Sequence, residues 1–184
     1  MTLLYAKILQ QAGYDCRLLI TQWRDYGFKL KSFIPDNLPY DIMRYSSHIM
    51  NIRLLLYIYK VKPDCVFYSF TSKTSIVVLA KLLLPRLKIV YRECLPPPTH
   101  RKWEIKLGRK VFPYVDLVIS QTKEMKSEIT EYYHVPPDSI QVINNPIDKA
   151  FIRQHLEERF EFEHLDYVHF LAVGRVVGQK DFAT

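Results

Sequence analysis

An α/β protein with a parallel sheet and helices on both of its faces is what this sequence predicts, and three observations predict it. Short, largely apolar runs at 64–70 (DCVFYSF), 87–92, 116–120 (DLVIS) and 140–143 (IQVI) alternate with amphipathic segments of about ten to fifteen residues. The runs are continuous where a half-exposed strand would alternate, which is the pattern of strands covered on both faces. Gly13, Pro63, Pro85 and the prolines at 96–98 punctuate the series. Strands joined by helical crossovers lie parallel, with right-handed connections.

The segment 2–12 spaces Leu4, Ile8 and Ala12 four residues apart, a helix with one apolar face, and Gly13 follows as its stop. Residues 14–21 (YDCRLLIT) read as a strand. The polar and aromatic stretch that runs on to about residue 40 contains Pro35 and Pro39, which forbid regular structure there. A helix over 46–60 carries Ile49, Ile52, Leu55, Leu56 and Tyr59 on its apolar side and stops before Pro63. After the strand at 64–70, residues 73–84 are helical up to Pro85. The strand at 87–92 meets the proline break, and a helix at about 102–112 precedes the strand at 116–120. The next helix, 122–133, has Thr122 as N-cap and Glu124 and Glu128 in its first half, where carboxylates favour the helix dipole. A strand at 140–143 closes the series.

Composition supports a packed protein and narrows its class. Of 184 residues, 48% are hydrophobic and 24% charged, with 13 Tyr and 10 Phe, too apolar for global disorder. Apolar stretches such as 54–59 and 76–80 fall well short of the roughly 18 residues a bilayer span needs. The N-terminus lacks a basic region ahead of an apolar run and does not read as a signal peptide, so a cytoplasmic address is expected. Cys16, Cys65 and Cys94, widely spaced and without CxxC, fit neither a disulfide framework nor a zinc site and read as reduced core thiols. The formal charge of +7 invites an anionic partner. Its main concentration, Arg101, Lys102, Lys106, Arg109 and Lys110, is interleaved with Trp103 and Ile105. That helix is either a solvated amphipathic face or a surface for phosphate head groups. No RGG tract, RNP-like motif or zinc-finger spacing supports nucleic acid.

Beyond residue 148 the character changes. Residues 151–166 hold five acids and two arginines with no strand pattern, and YVHFLAV at 167–173 is a fresh apolar run. The expected organisation is a domain at 1–148, a linker at 149–166 and the first strand of a second Rossmann-like domain at 167–184. The first domain opens on a helix with no GxGxxG anywhere, so it is expected to lack its first strand, with the sequence cut at both ends.

The segment FLAVGRVVGQKDF, 170–182, carries the densest chemistry. A strand runs into Gly174, and Arg175 and Lys180 follow at the strand's C-terminal end, the edge where open α/β sheets bind ligands. Two cations there suit a diphosphate, and they also read as ordinary loop charges. Glu93, after Arg92 at another strand end, is a candidate contact for a substrate hydroxyl or one half of a structural ion pair. His100 is either an acceptor contact or a solvated loop histidine. Ser69, Thr71, Ser72 and Lys73 lead from strand into helix and offer either acceptor contacts or a helix cap.

The run VINNPID (142–148), the segment QTKEMKSEI after the strand DLVIS, and VGRVVGQKDF occur in the order seen in GT-B glycosyltransferases. Together they resemble family 4, a retaining group that uses nucleotide sugars. The resemblance implies transfer of a sugar from a nucleotide-diphosphate donor to a glycan or polyprenyl-linked acceptor, in cell-surface polysaccharide or glycolipid synthesis. It also implies that Gly174, Arg175 and Lys180 bind the donor diphosphate, where fixed cations stabilise the charge growing on the leaving group. No metal or other cofactor is expected. Glu93 becomes the catalytic candidate; Ser69, Thr71, Lys73, Arg92 and His100 become acceptor-side candidates. The glycine-rich loop and the E-x7-E motif of that family have no counterpart, so the 184 residues alone are expected to be inactive. The basic helix and the aromatic segment at 23–33 imply peripheral contact with the inner face of the cell membrane. A non-catalytic α/β binding module, or another GT-B enzyme such as an epimerase, remains the alternative.

Overall fold

The computed structural model describes residues 2–21, 34, 36–43, 47–69, 73–147 and 149–154. The chain divides into two compact units, Met1–Ile147 and Asp148–Thr184. The first contains α1 (Thr2–Gln11), β1 (Leu18–Ile20) and β2 (Tyr40–Ile42). It continues with α2 (Ser47–Val61), β3 (Cys65–Tyr68), α3 (Thr74–Leu83) and β4 (Lys88–Arg92). α4 (Lys102–Val111), β5 (Leu117–Ser120), α5 (Lys123–Tyr133) and β6 (Ile140–Val142) complete it. In the second unit the described residues form α6 (Lys149–Gln154), a helix where a linker is expected from the sequence.

Every described strand pairing is parallel. β1 pairs with β2, and β3, β4, β5 and β6 form a second sheet in chain order. The register sets Tyr68 beside Tyr91, Arg92 beside Ile119 and Ser120 beside Val142, so the strands end together at one edge. Helices α2 to α5 form one layer on this sheet, each packed on the next. Met50, Leu54 and Ile58 of α2, Val77, Val78 and Ala80 of α3, and Met125 and Ile129 of α5 meet Ile89, Tyr91, Val118 and Ile140 in one core. Each such large side chain contributes about 1.5–3 kcal/mol by leaving water. Because strand side chains alternate, Phe67 points the other way, where the Tyr5 ring of α1 lies 5.1 Å from it. Helices thus cover both faces, as the sequence predicts.

Local chemistry explains the joints. Thr122 is the N-cap of α5, its hydroxyl accepting the Met125 N–H at 3.2 Å. Glu104 accepts the N–H of Arg101 at 2.9 Å and starts α4. Gly108 lets α4 approach α5 closely: a Cβ there stands 2.5 Å from Cδ1 of Tyr133. Asp116 binds Lys81 of α3, accepts from Lys88 at 3.2 Å and from the Ile89 N–H at 2.8 Å, and so locks helix to sheet. Asp41 accepts from Tyr57 of α2 at 2.6 Å and from Arg17 at 3.0 Å.

Three expectations are corrected, and one strand is added: residues 36–39 are turn and loop, as expected beside Pro39, but the Pro39 carbonyl accepts the N–H of Leu18 at 2.9 Å and β2 starts at the next residue. The side of α2 turned to the sheet is Met50, Leu54 and Ile58, while Ile49, Ile52, Leu56 and Tyr59 face outward. Cys65 and Cys94 are exposed instead of core thiols, because one opens β3 and the other lies beyond the end of β4. β3 is only half-buried, as befits the terminal strand of its sheet.

Candidate functional site

The C-terminal edge of β4, β5 and β6 gathers the polar side chains. β4 ends on Arg92, and the chain continues through Glu93, whose N–H carries the ladder onward by donating to the Ile119 carbonyl at 2.9 Å. Alternation sends neighbouring side chains to opposite faces. Arg92 turns toward α1, its guanidinium 5.7 Å from the Tyr5 ring centroid. Glu93 turns toward the α4–α5 side. Both are almost fully buried, at 3% and 1% exposure. They form no ion pair with each other among the described residues.

Glu93 instead faces His100, with Oε1 3.8 Å from Nε2, too long for a hydrogen bond but close enough for attraction when the imidazole is charged. The same Oε1 accepts the N–H groups of Cys94 at 2.9 Å and Leu95 at 3.3 Å. Burial pushes the Glu93 carboxyl above its ordinary range; the His100 charge, these two N–H groups and the Tyr91 hydroxyl pull it back only in part. His100, placed by the turn at Pro97–Thr99, is itself buried, and its Nδ1 shares a hydrogen bond with the Tyr133 hydroxyl. When Tyr133 donates to Nδ1, the imidazole proton sits on Nε2 and is directed at Glu93. His100 is therefore no solvated loop residue. Tyr133, fully buried, has its phenol raised by desolvation and by the negative charges of Glu93 and Glu104.

Arg92 is held from the sheet's other loops. Its guanidinium donates to Asn145 after β6 and, at 3.0 Å, to the sulfur of Cys94. Asn145 donates to Gln121 Oε1 at 2.8 Å, and Gln121 Nε2 donates to the Glu93 carbonyl at 3.0 Å. Asn144 donates to the Gln121 carbonyl at 3.3 Å. Three loops are thus tied into one frame. Four buried polar atoms around this edge have no hydrogen-bond partner among the described residues: Tyr5 Oη, Ser69 Oγ, Arg92 Nε and Glu93 Oε2. An unmet buried polar atom costs about 1–3 kcal/mol.

The structure therefore brings Glu93 and His100 together, with Arg92 on the reverse face and Ser69 beside it by register. Lys73 is turned elsewhere: it donates to Asn51 of α2 at 2.9 Å and provides the cap position of α3 without a side-chain bond. Thr71, Gly174, Arg175 and Lys180 lie outside the described residues, as does the aromatic segment at 23–33. Gln121, Asn144, Asn145 and Tyr133 were not among the sequence candidates. The first three stood in the quoted segments QTKEMKSEI and VINNPID, directly after strands, and that position was their signal; Tyr133 had none, being an aromatic on an amphipathic helix. A groove of about 450 Å³ runs along α5, lined by Lys126, Thr130 and Pro137, away from Arg92 and Glu93. Among the described residues no group of His, Cys, Asp and Glu is arranged to hold a metal, and no helix is long and apolar enough to cross a membrane.

Comparison with known proteins agrees with this architecture. The Anabaena protein Alr3699/HepE, solved with UDP-glucose and with UDP and glucose, is similar to this chain at 14% and 15% identity, with TM-scores of 0.55 and 0.54. Each alignment covers 71% of this chain and 36% or 37% of HepE. The apo lipopolysaccharide outer core galactosyltransferase WaaB aligns at 14% identity and a TM-score of 0.48, over 61% of this chain and 32% of its own. The chain thus spans about a third of the length of these structures. No curated protein matches it. The pattern of Glycosyltransferase Family 4 matches residues 2–151, from α1 into α6 and through the whole polar edge. With a fold of the GT-B glycosyltransferase kind beneath that match, the chain belongs to Glycosyltransferase Family 4.

Proposed function

We propose that this chain holds the acceptor side of a hexosyltransferase that moves a sugar from a nucleotide-diphosphate donor to a glycan or lipid-linked acceptor. The observation that carries it is the buried polar edge, where Glu93 Oε2, Arg92 Nε and Ser69 Oγ lie buried without a hydrogen-bond partner among the described residues. Those groups are suited to the hydroxyls of a sugar acceptor, and a site that hydrogen-bonds hydroxyls rejects analogues lacking them. Glu93, with its carboxyl raised by burial, is suited to exchange a proton with an acceptor hydroxyl, while His100 and Tyr133 fix its orientation. Gly174, Arg175 and Lys180 are assigned to the donor diphosphate, without a metal. The UDP-glucose complex of HepE supports a nucleotide sugar as donor. The product belongs to cell-surface polysaccharide or glycolipid synthesis at the cytoplasmic face of the membrane, and the 184 residues by themselves are inactive.

The test uses the longest natural polypeptide that contains this sequence. Transfer of label from radioactive nucleotide sugars to membrane extracts should fall by at least a hundredfold in Glu93→Gln and Lys180→Ala, about 2.7 kcal/mol of transition-state stabilisation. Folding should be retained in both. Transfer unchanged in both variants rejects the assignment.

A further inference from the structure

The face of the sheet turned to α1 carries polar groups that the fold itself leaves unused. Alternation along β4 puts Tyr91 in the core and Arg92 on this opposite face. The register of Tyr68 beside Tyr91 makes Ser69 the neighbour of Arg92 on the next strand. Tyr5 of α1 completes the set, its ring 5.1 Å from that of Phe67 and 5.7 Å from the Arg92 guanidinium carbon. Tyr5 Oη, Ser69 Oγ and Arg92 Nε are all buried, and none has a hydrogen-bond partner among the described residues.

Charge says what such a set binds. A cation taken out of water needs an opposite charge or a full set of hydrogen bonds. Arg92, 3% exposed, has neither among the described residues. α1, β3 and β4 contain no Asp or Glu, Glu93 turns away toward His100, and Asp41 is engaged by Arg17 and Tyr57. The guanidinium donates only to the neutral amide of Asn145 and to the sulfur of Cys94, a weak acceptor. One cation with two hydroxyls has one unit of charge to offset, which suits a carboxylate; a phosphate monoester brings about 1.5–2 negative charges. The adjoining residue supplies the complementary group: Glu93 Oε2, buried and without a partner among the described residues, can accept from a hydroxyl. A ligand that is both acid and polyol meets the two requirements at one strand end.

We propose that Arg92, Ser69 and Tyr5 form an anion subsite for the carboxylate of an acidic sugar, a uronic acid residue of the acceptor. The carboxylate takes the Arg92 Nε donor and the two hydroxyls, and it approaches past Cys94, which is exposed and bonded to the guanidinium. The inference rests on the acceptor-side reading above and names the class of acceptor. It is tested by binding alone, so the subsite can fail while the transfer assay succeeds, and the reverse.

Methyl β-glucuronide, methyl β-glucoside, acetate and methyl phosphate are titrated onto the longest natural polypeptide that contains this sequence, with no nucleotide sugar present. Saturation-transfer NMR gives the affinities, and maleimide labelling read by mass spectrometry gives the location. The glucuronide should bind about tenfold more tightly than each of the other three. It should slow labelling of Cys94 and leave Cys65, exposed at the start of β3, unchanged. Tyr5→Phe and Ser69→Ala each remove a hydroxyl that no described residue pairs with, so Tm should hold or rise while glucuronide affinity falls about tenfold, the worth of one hydrogen bond to a charged group. Arg92→Gln should abolish the preference for glucuronide over glucoside. Equal affinity for these two sugars, protection of Cys65 as strong as that of Cys94, or wild-type affinity in both hydroxyl variants overturns the proposal. Acetate binding as well as the glucuronide, or methyl phosphate binding better, overturns it in favour of a bare anion or a phosphorylated ligand.

Discussion

Replacing Gly108 with alanine tests how α4 and α5 set the site. In an open helix the change stabilises by about 1 kcal/mol, because alanine is the better helix former. Here the new methyl stands 2.5 Å from Tyr133 Cδ1, 2.6 Å from Cε1 and 3.1 Å from Phe112 Cε2. Carbon atoms prefer about 3.5–4.0 Å, so the ring must retreat by about 1 Å. It has no room: Tyr133 is fully buried, its centroid 4.6 Å from that of Phe112, which packs in turn 5.0 Å from Tyr91. Overpacking of this kind costs about 1–3 kcal/mol, and pulling the phenol from His100 adds about 0.5–1.5 kcal/mol. Packing wins over propensity, and Gly108→Ala should destabilise by about 1–3 kcal/mol, several degrees in Tm for a unit of this size. Thermal and urea unfolding followed by circular dichroism measure it. Against a Tyr133→Leu background, which removes the ring edge, the cost of the methyl should vanish. A single variant as stable as the wild type, or a cost that persists without the ring, refutes the close-approach account.

Two carboxylates should impose opposite pH dependences. Burial raises the Glu93 pKa above 4.5, so the folded chain holds that proton more tightly than the unfolded chain. The stability it lends is complete below the ordinary Glu value and is lost as pH rises through the raised one. Glu93→Gln should flatten the fall in urea midpoint across that range; an unchanged slope places the titration elsewhere. For Asp116 desolvation is the largest influence and acts upward, yet the bonds from Lys81, the Ile89 N–H and Lys88 together hold the carboxyl below its usual range. Its stabilisation is present above the ordinary Asp value and is lost as pH falls through the depressed one. Asp116→Asn should cost about 1–3 kcal/mol at pH 7 and converge on the wild type in acid; a difference independent of pH contradicts it.

Much of the fold was legible in residue order because local and tertiary preferences agree. Thr122 caps α5 as its side chain predicts, and the runs at 87–92, 116–120 and 140–143 are parallel strands in one sheet. Orientation was less legible where a helix is apolar nearly all round. On α2, Ile49, Ile52, Leu56 and Tyr59 compete with Met50, Leu54 and Ile58, and only packing on the sheet decides between them. Glu93 and Arg92 were readable as strand-end residues, but which face each takes depends on the register of β4. His100 and Tyr133 are 33 residues apart and meet only through the packing of the Pro97–Thr99 turn on α5. No short pattern records such a contact.

Strand order has a consequence for synthesis. Since β3, β4, β5 and β6 lie side by side in the order in which they are made, each new strand leaves the ribosome to find its neighbour already complete. Its crossover helix then packs on the helix made just before it. Loop closure is short at every step, so the sheet extends from an existing edge and needs no distant segment to be recruited first. Growth of this kind limits the time each advancing edge stays bare to the time needed to translate one helix and one strand, a few seconds at about 5–20 residues per second.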